Sequence, residues 1–372
     1  MNVAIWGGGE FGKYVFKQLK DKKNVNVIAW VDSNPDLQGK EIEGVLVISN
    51  QDAKKRMEFD IDVVLVAFIH SMELLREIGG EKAYRYGFIK ERVLQTSLQL
   101  SDNLLEDKNI IWSNADYLDK PILPKLETNI VDYCNLNCKG CSHFSNLFKN
   151  GDKVPFEVFC RDLEQLSKKV FIGRFSLLGG EVLLEDNITD YIAFARKVLP
   201  HSDITLVSNG LLLPKQSDRF FKCCIENDIS ITISGYMPTL KMKDRIQDIL
   251  RKWGITYDFW HDVTEFWKNI DLSGSADKSL AMKRCKQSSC HFFRYGKLYK
   301  CPFEALGNKL FRHYGLDVRI EGGINIYDES IDWKESVRGV CDETVDACRY
   351  CGVEEKIVWS VENSPRLEDW IV

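Results

Sequence analysis

Three cysteines, Cys134, Cys138 and Cys141, fall at offsets of four and three in the stretch DYCNLNCKGCSHFSNL. Thiols crowded into one short polar turn point to metal or cluster chemistry. Zinc sites usually assemble from two C-x2-C knuckles that together give four sulfurs. The bacterial ferredoxin run adds a fourth cysteine after three more residues, and here Ser145 stands at that position. Three thiolates leave one coordination position unfilled, and an unfilled position is where a reaction can take place.

A second group lies in the last quarter of the chain: Cys285, Cys290, Cys301, Cys341, Cys348 and Cys351, the last two spaced as C-x2-C in CRYC. The chain has twelve cysteines. MNVAIWGGGE lacks the basic segment and cleavage site of a signal peptide, so the expected compartment is a reducing cytoplasm, where metal binding accounts for such cysteines better than disulfides. Cys160, Cys223 and Cys224 fall inside helical patterns and read as small buried apolar residues.

These groups need a scaffold. The strand LETNIVD begins at Leu126 and runs almost directly into Cys134. After it, the helical pattern FEVFCRDLEQLSKKV precedes the strand FIGRFSLL and then GGEVLL. A helix ITDYIAFARKVL leads to the strand ITLVSNG; further on come helix KQSDRFFKCCIEN, strand ISITIS, helix LKMKDRIQDILRKWG and strand ITYDFW. Alternation of strand and helix is the pattern of a parallel sheet. HFFRY and KLYKC hinge on Gly296 as a hairpin that presents Cys301 to the helix PFEALGNKLFRHYG.

The C-x3-C-x2-C loop after a strand resembles that of the radical S-adenosylmethionine enzymes. That resemblance implies a partial (β/α)6 barrel in which Cys134, Cys138 and Cys141 hold a [4Fe-4S] cluster whose fourth iron is chelated by S-adenosylmethionine. One electron then cleaves the sulfonium to a 5′-deoxyadenosyl radical, the protein orienting and shielding the cofactor. Gly179, Gly180 and Glu181 resemble the family's G-G-E-P element, with Val182 in place of proline, and Ser208, Asn209 and Gly210 resemble its T-N-G at the ribose. One departure is Gly140, where many members carry an aromatic residue against the adenine; Phe144 and His143 are the nearby rings.

The last hundred residues resemble the twitch/SPASM kind of auxiliary domain. This implies a second [4Fe-4S] cluster on Cys285, Cys301, Cys348 and Cys351, with Cys290 as the alternate to Cys285 and Cys341 unliganded. A structural zinc would use the same four sulfurs. An auxiliary cluster with four thiolates has no open iron, so it suits passing an electron. The resemblance further implies hydrogen abstraction from a substrate, an oxidoreductase or dehydrogenase-like outcome, and a flavodoxin- or ferredoxin-type electron donor. Tyr236, His291 and Glu304 are the side chains considered for a base.

At the other end, the strand NVAIW meets GGGEFG, placing Gly7, Gly9 and Gly12 as G-x-G-x-x-G before an amphipathic helix, and a second strand ends at Asp32. Gly7 suits the tight turn, Gly9 the approach of a phosphate, Gly12 the packing of helix on strand, and Asp32 a ribose hydroxyl. The stretch AWVDSNPDLQGKEIEGVLVIS resembles the small nucleotide-binding domains of bacterial sugar N-acetyltransferases, which implies a nucleotide or nucleotide-sugar here. A Rossmann-like domain serving only for docking is the alternative.

The chain is thus expected to be α/β: a Rossmann-like open parallel sheet at 1–100, a linker at 101–125, the barrel at 126–280 and an auxiliary cluster domain at 281–372. Its 372 residues, 44% hydrophobic and 28% charged, suffice for several cores. The net charge of −5 is interspersed, which argues against nucleic acid as a partner, and no run of about 18 apolar residues marks a membrane span. The substrate expected is a small molecule or glycoconjugate, most readily a nucleotide-linked sugar. A peptide maturase and a non-catalytic iron-sulfur or zinc scaffold are the other two readings.

Overall fold

The computed structural model describes residues 1–68, 71–79, 83–90 and 100–372. It divides into two compact units, Met1–Pro124 and Lys125–Val372.

In the first unit, strands β1 (Asn2–Trp6), β2 (Asn26–Val31), β3 (Glu41–Ile42), β4 (Val45–Ile48), β5 (Val63–Val66), β6 (Tyr86–Ile89) and β7 (Ile110–Trp112) form one sheet in the order β3-β4-β2-β1-β5-β6-β7. The five central strands run parallel. Burial on both faces explains their near-continuous apolar runs, VVLV in β5 among them. The helix Glu10–Leu19 buries Phe11, Val15, Phe16 and Leu19 on one side, the spacing of an amphipathic helix. Gly12 is needed there, because a Cβ on it would stand 1.7 Å from the Gly7 carbonyl oxygen.

The segment 101–125, expected as a linker, instead completes this unit. β7 pairs antiparallel with β6, and Leu104, Ile110, Ile111 and Trp112 are buried. Its polar and proline-bearing ends masked a strand of three residues, too short for any periodic signal.

In the second unit, β8 (Ile122–Val131), β9 (Phe171–Gly179), β10 (Asp203–Ser208), β11 (Ile229–Tyr236) and β12 (Tyr257–Val263) lie in sequence order, each next to the one before. Registers are parallel from β9 through β12. Helices Phe156–Ser167, Ile188–Val198, Asp218–Glu226 and Lys243–Trp253 alternate with these strands, as the sequence pattern predicts. A further strand β13 (Glu265–Ile270) pairs antiparallel with β17 (Cys351–Val358) as a separate ribbon.

The last hundred residues were expected as a domain of their own, yet their strands extend the same sheet. β14 (His291–Arg294) runs parallel beside β8, with His291 opposite Leu126 and Phe292 opposite Glu127; β15 (Lys297–Tyr299) and β16 (Ile324–Asn325) follow antiparallel. The β14–β15 turn at Tyr295 and Gly296 has positive φ at both residues, the backbone of a two-residue hairpin whose twist matches its strands. The helix Pro302–His313 packs Phe303, Leu306, Leu310 and Phe311 into a core with Phe144, Leu147, Phe292, Tyr350 and Trp370.

One ion pair fixes β14 to the end of β8. Arg294 donates from Nη1 and Nη2 to the two oxygens of Asp132, at 2.6 and 2.5 Å, and Asp132 is 1% exposed. Breaking a buried pair from one side strands the other charge. Arg294→Ala is therefore expected to lower stability by about 3–5 kcal/mol, and Arg294→Lys by less, since it keeps the charge and loses the fork; thermal unfolding of both variants checks this.

Candidate cluster and cofactor site

β8 ends at Val131, and Cys134 follows three residues later on a loop that β9 holds from one side. Gly180 N–H donates to Val131 O at 2.9 Å and Glu181 N–H to Tyr133 O at 3.1 Å. The approach requires glycine: a Cβ on Gly180 would stand 2.1 Å from Tyr133 O. The Glu181 carboxylate then reaches to the end of β10. It accepts from Ser208 Oγ at 2.7 Å, from Asn209 N at 2.7 Å and from its own turn at Leu183 N, 3.0 Å. Burial holds the Glu181 carboxyl above the usual carboxylate range, and those three donors offset part of the rise.

Asn209 in turn approaches the cysteines, its amide donating to Asn135 Oδ1 at 2.7 Å and lying 3.8 Å from Cys134 Sγ. Cys134 Sγ also accepts from Leu136 N at 3.3 Å, and Cys138 Sγ from the Trp359 indole N–H at 3.3 Å. Cys134 and Cys138 lie within electrostatic reach of the other sulfurs of the set. Burial, then Glu181 and the other two sulfurs, push Cys134 up; burial and Cys141 push Cys138 up to about 12. Thiols in that state ionise readily only when a metal takes the sulfur and the proton leaves.

This geometry suits a group held by three thiolates. The donor set is soft sulfur, two of the three sulfurs receive N–H donors, and the glycines beside the loop keep its backbone close to β9. Among the described residues, no three His, Cys, Asp or Glu side chains close around a single ion. Cysteines on a cubane bind different irons, so they need not converge on one point.

At Gly140, φ is +66° and the space a side chain would take is filled by Asp369 O and Ile357 Cδ1, each 2.8 Å from where a Cβ would stand. Phe144, one of the rings considered in its place, is 1% exposed and packs against Phe303 and Trp370 in the core. His143 packs its ring on Phe292 at 6.0 Å, and burial lowers its pKa. The rings beside the three thiols are instead Tyr236 and Trp359, stacked at 5.4 Å and 24°.

The second set of cysteines also gathers. Cys285 follows the helix Lys278–Arg284, Cys301 precedes the helix Pro302–His313, Cys348 lies in the turn Asp346–Tyr350 and Cys351 opens β17. Burial raises Cys301, with further increments from Cys351 and Cys285; Cys351 is pushed up to about 12 by burial and by Cys348 and Cys285. Cys290 meets Lys125 and Glu127. Its sulfur stands 3.7 Å from Lys125 Nζ, beside the Lys125–Glu127 pair at 2.9 Å. Cys341 Sγ lies 3.4 Å from His291 Nε2.

Two of the side chains considered for a base serve the backbone. His291 Nδ1 meets Lys300 O at 3.1 Å, and Glu304 accepts from Lys300 N at 2.7 Å and Gly323 N at 3.2 Å. Sequence reasoning passed over Trp359, Trp370 and the Lys125–Glu127–Cys290 group. Only the odd spacing of Cys290 hinted at the last of these.

In the first unit, Gly7 has φ +119° and Gly9 caps the helix Glu10–Leu19 with open space around it. Asp32 closes on this loop: Oδ2 accepts from Gly8 N at 3.2 Å and Oδ1 from Asn34 N at 2.9 Å. Among the described residues, no helix is long and apolar enough to cross a membrane.

Comparison with known proteins gives two family matches: residues 1–82 to the model described as C2185-like, N-terminal, and residues 128–282 to the Radical SAM superfamily. The GTP 3′,8-cyclase of Alkaliphilus oremlandii is 24% identical over 127 residues, 34% of this chain and 38% of that protein. The enzyme of the same name from Heliobacterium modesticaldum is 32% identical over 92 residues, 24% of this chain and 28% of that protein. The chain thus spans well under half the length of these curated relatives. Among solved structures, BtrN in complex with AdoMet and 2-DOIA is 15% identical with a TM-score of 0.37, covering 67% of this chain and 98% of that one. UDP-D-quinovosamine 4-dehydrogenase from Vibrio fischeri is 17% identical with a TM-score of 0.21, covering 24% of this chain and 76% of that one. The match over 128–282 takes in the three-cysteine loop, the Gly-Gly-Glu turn and the Ser-Asn-Gly strand end, and it supports placing this part of the chain in the radical SAM superfamily, which implies a [4Fe-4S] cluster and S-adenosylmethionine.

Proposed function

We propose that this chain is a radical SAM oxidoreductase acting on a sugar, nucleotide-sugar or glycoconjugate. Cys134, Cys138 and Cys141 hold a [4Fe-4S] cluster, and Gly179, Gly180, Glu181, Ser208 and Asn209 seat S-adenosylmethionine on the partial barrel formed by β8 to β12. When bound, the pair would supply hydrogen abstraction, in which one electron from a flavodoxin- or ferredoxin-type donor would split S-adenosylmethionine into methionine and a 5′-deoxyadenosyl group able to take a hydrogen atom from the substrate. Cys285, Cys301, Cys348 and Cys351 would hold a second cluster, able to take the electron that remains once the substrate has lost a hydrogen atom and a proton.

The observation that carries this reading is the joining of three strand ends at one thiol loop, through Gly180 and Glu181 to β8 and through the Glu181 carboxylate to Ser208 and Asn209. Glu181 acts through Asn209 rather than by reaching outward, since three donors occupy both its oxygens. The nucleotide part of the substrate reading draws on two supports. Gly7, Gly9 and Gly12 shape a loop that opens onto a helix N-terminus, which favours a phosphate, and the curated relatives carry GTP in their name. Asp32, already holding the loop, orders that site and contributes its remaining lone pairs to a hydroxyl.

Anaerobically reconstituted protein is expected to carry about eight irons, four per cubane, and after reduction to convert S-adenosylmethionine to 5′-deoxyadenosine. Zinc content with no cleavage would sink the reading. Replacing Cys134, Cys138 and Cys141 together by alanine should halve the iron and abolish cleavage. Among single variants, Cys285→Ala should lose the second cluster's absorbance and Cys290→Ala should keep it; the reverse would move the ligand set. Glu181→Gln turns an amide N–H toward Asn209 N–H, and is expected to cost about 1–3 kcal/mol in chemical denaturation as a buried donor goes unmatched. Calorimetric titration of the full chain with UDP- and GDP-sugars should show binding, and silence to all of them would leave the first unit a docking domain.

A further inference from the structure

β17 leaves its pairing with β13 at Val358 and continues as a strap across the three-cysteine loop. Trp359 N–H donates to Thr264 O at 2.9 Å, Lys139 N–H to Ser360 O at 2.9 Å and Glu362 N–H to Asn137 O at 2.7 Å, with Cys138 and Val361 forming an isolated antiparallel bridge. Most of this strap faces solvent: Val358 is 78% exposed and Val361 48%. The Trp359 indole is the exception. It turns inward, stacks on Tyr236 and aims its N–H at Cys138 Sγ, 3.3 Å away.

An indole N–H is a donor only, and once withdrawn from water it needs an acceptor. Here that acceptor is a sulfur, and a metal-bound thiolate accepts better than a neutral thiol because it carries charge. Hydrogen bonds to cluster sulfurs stabilise the more negative, reduced state and so raise the reduction potential. Trp370 donates its own indole N–H at 2.9 Å to the Cys141 carbonyl, a backbone group rather than a sulfur. The two tryptophans therefore differ in kind, one touching the ligand atom and the other fixing the loop.

We propose, resting on the radical SAM reading above, that Trp359 is a positioning residue of the three-cysteine site, whose N–H to the Cys138 sulfur sets the reduction potential there and makes the one-electron step easier. Trp359 stands 221 positions from its partner, well outside the span of the cysteine motif itself.

The test is potentiometric titration of the reconstituted full-length protein, following the EPR signal that changes on addition of S-adenosylmethionine, so that the second cluster is not mistaken for the first. Trp359→Phe keeps a ring on Tyr236 and removes the donor; Trp359→His keeps an N–H donor on a smaller ring. At a fixed potential the reduced fraction relative to oxidised is expected to fall up to about tenfold in the Phe variant, a shift of about 59 mV to more negative potential for one electron, with the iron content unchanged. The His variant should recover most of the native potential. Equal potentials in native and Phe proteins, or equal shifts in Phe and His, would overturn the proposal. If the Phe variant fails to keep its iron, the His variant decides: a native-like potential upholds the donor role, and a full shift refutes it. Failure of the underlying reading looks different, because native protein would then show no signal that responds to S-adenosylmethionine.

Discussion

The second unit depends on the contact between the Gly179–Glu181 turn and the backbone that leads into Cys134. Side chains at those glycines would collide with the Val131 and Tyr133 carbonyls, at 2.2 and 2.1 Å, so the two strand ends meet backbone to backbone. Two N–H donors seal that contact. Glu181 then places an ionisable group in the interior, which is costly unless its oxygens are satisfied. They are, and the satisfaction comes from β10 as well as from its own turn, so the cost of burial is offset by tying a third strand end to the first two. A loop based on three fixed strand ends loses little entropy when it closes on a ligand, which is the advantage of a preorganised site.

From the other side the loop is held by the C-terminal segment, and the two thiol sets share an element through it. Cys351 belongs to the four-thiol group and opens β17; eight residues on, the same strand delivers Trp359 to Cys138. At about 3.3 Å per residue this is roughly 26 Å of extended chain. β13 braces it by antiparallel pairing, and Trp370, buried in the core with Phe144 and Phe311, anchors its far end. One stretch of chain thus runs from one thiol set to the other.

What could be read from the sequence divides along a physical line. The cysteine triplet, the Gly-Gly-Glu turn and the Ser-Asn-Gly end were legible because each is local, a few residues whose spacing alone restricts the backbone. The strands β8 to β12 were legible because helices alternate with them in regular order. The choice between Cys285 and Cys290 was not, since both thiols precede the hairpin and spacing alone favours neither. Only the fold shows Cys290 turned toward Lys125. β7, β13 and the Trp359 strap escaped for the same reason: β7 has three residues, and the others owe their place to partners across the chain, where no period announces them. The sharing of one sheet by 281–372 and the strands before it was hidden because β14 joins β8 by a parallel pairing that sequence patterns do not reveal.

Gly140 shows how such long-range contacts can take over a local task. An aromatic residue was expected there, and its absence read as a gap in the motif. In the fold, Gly140 adopts φ +66°, and the Asp369 carbonyl with Ile357 occupies the side-chain space, so an aromatic ring at 140 would collide with β17 and the turn at Asp369. The same C-terminal segment also brings a ring: Trp359 stacks on Tyr236 beside the thiols. Aromatic surface next to the cysteines is thus supplied from β11 and the C-terminal strap rather than from within the loop. Both the glycine and the tryptophan owe their surroundings to partners far away in the chain, so neither is intelligible from its own sequence neighbourhood.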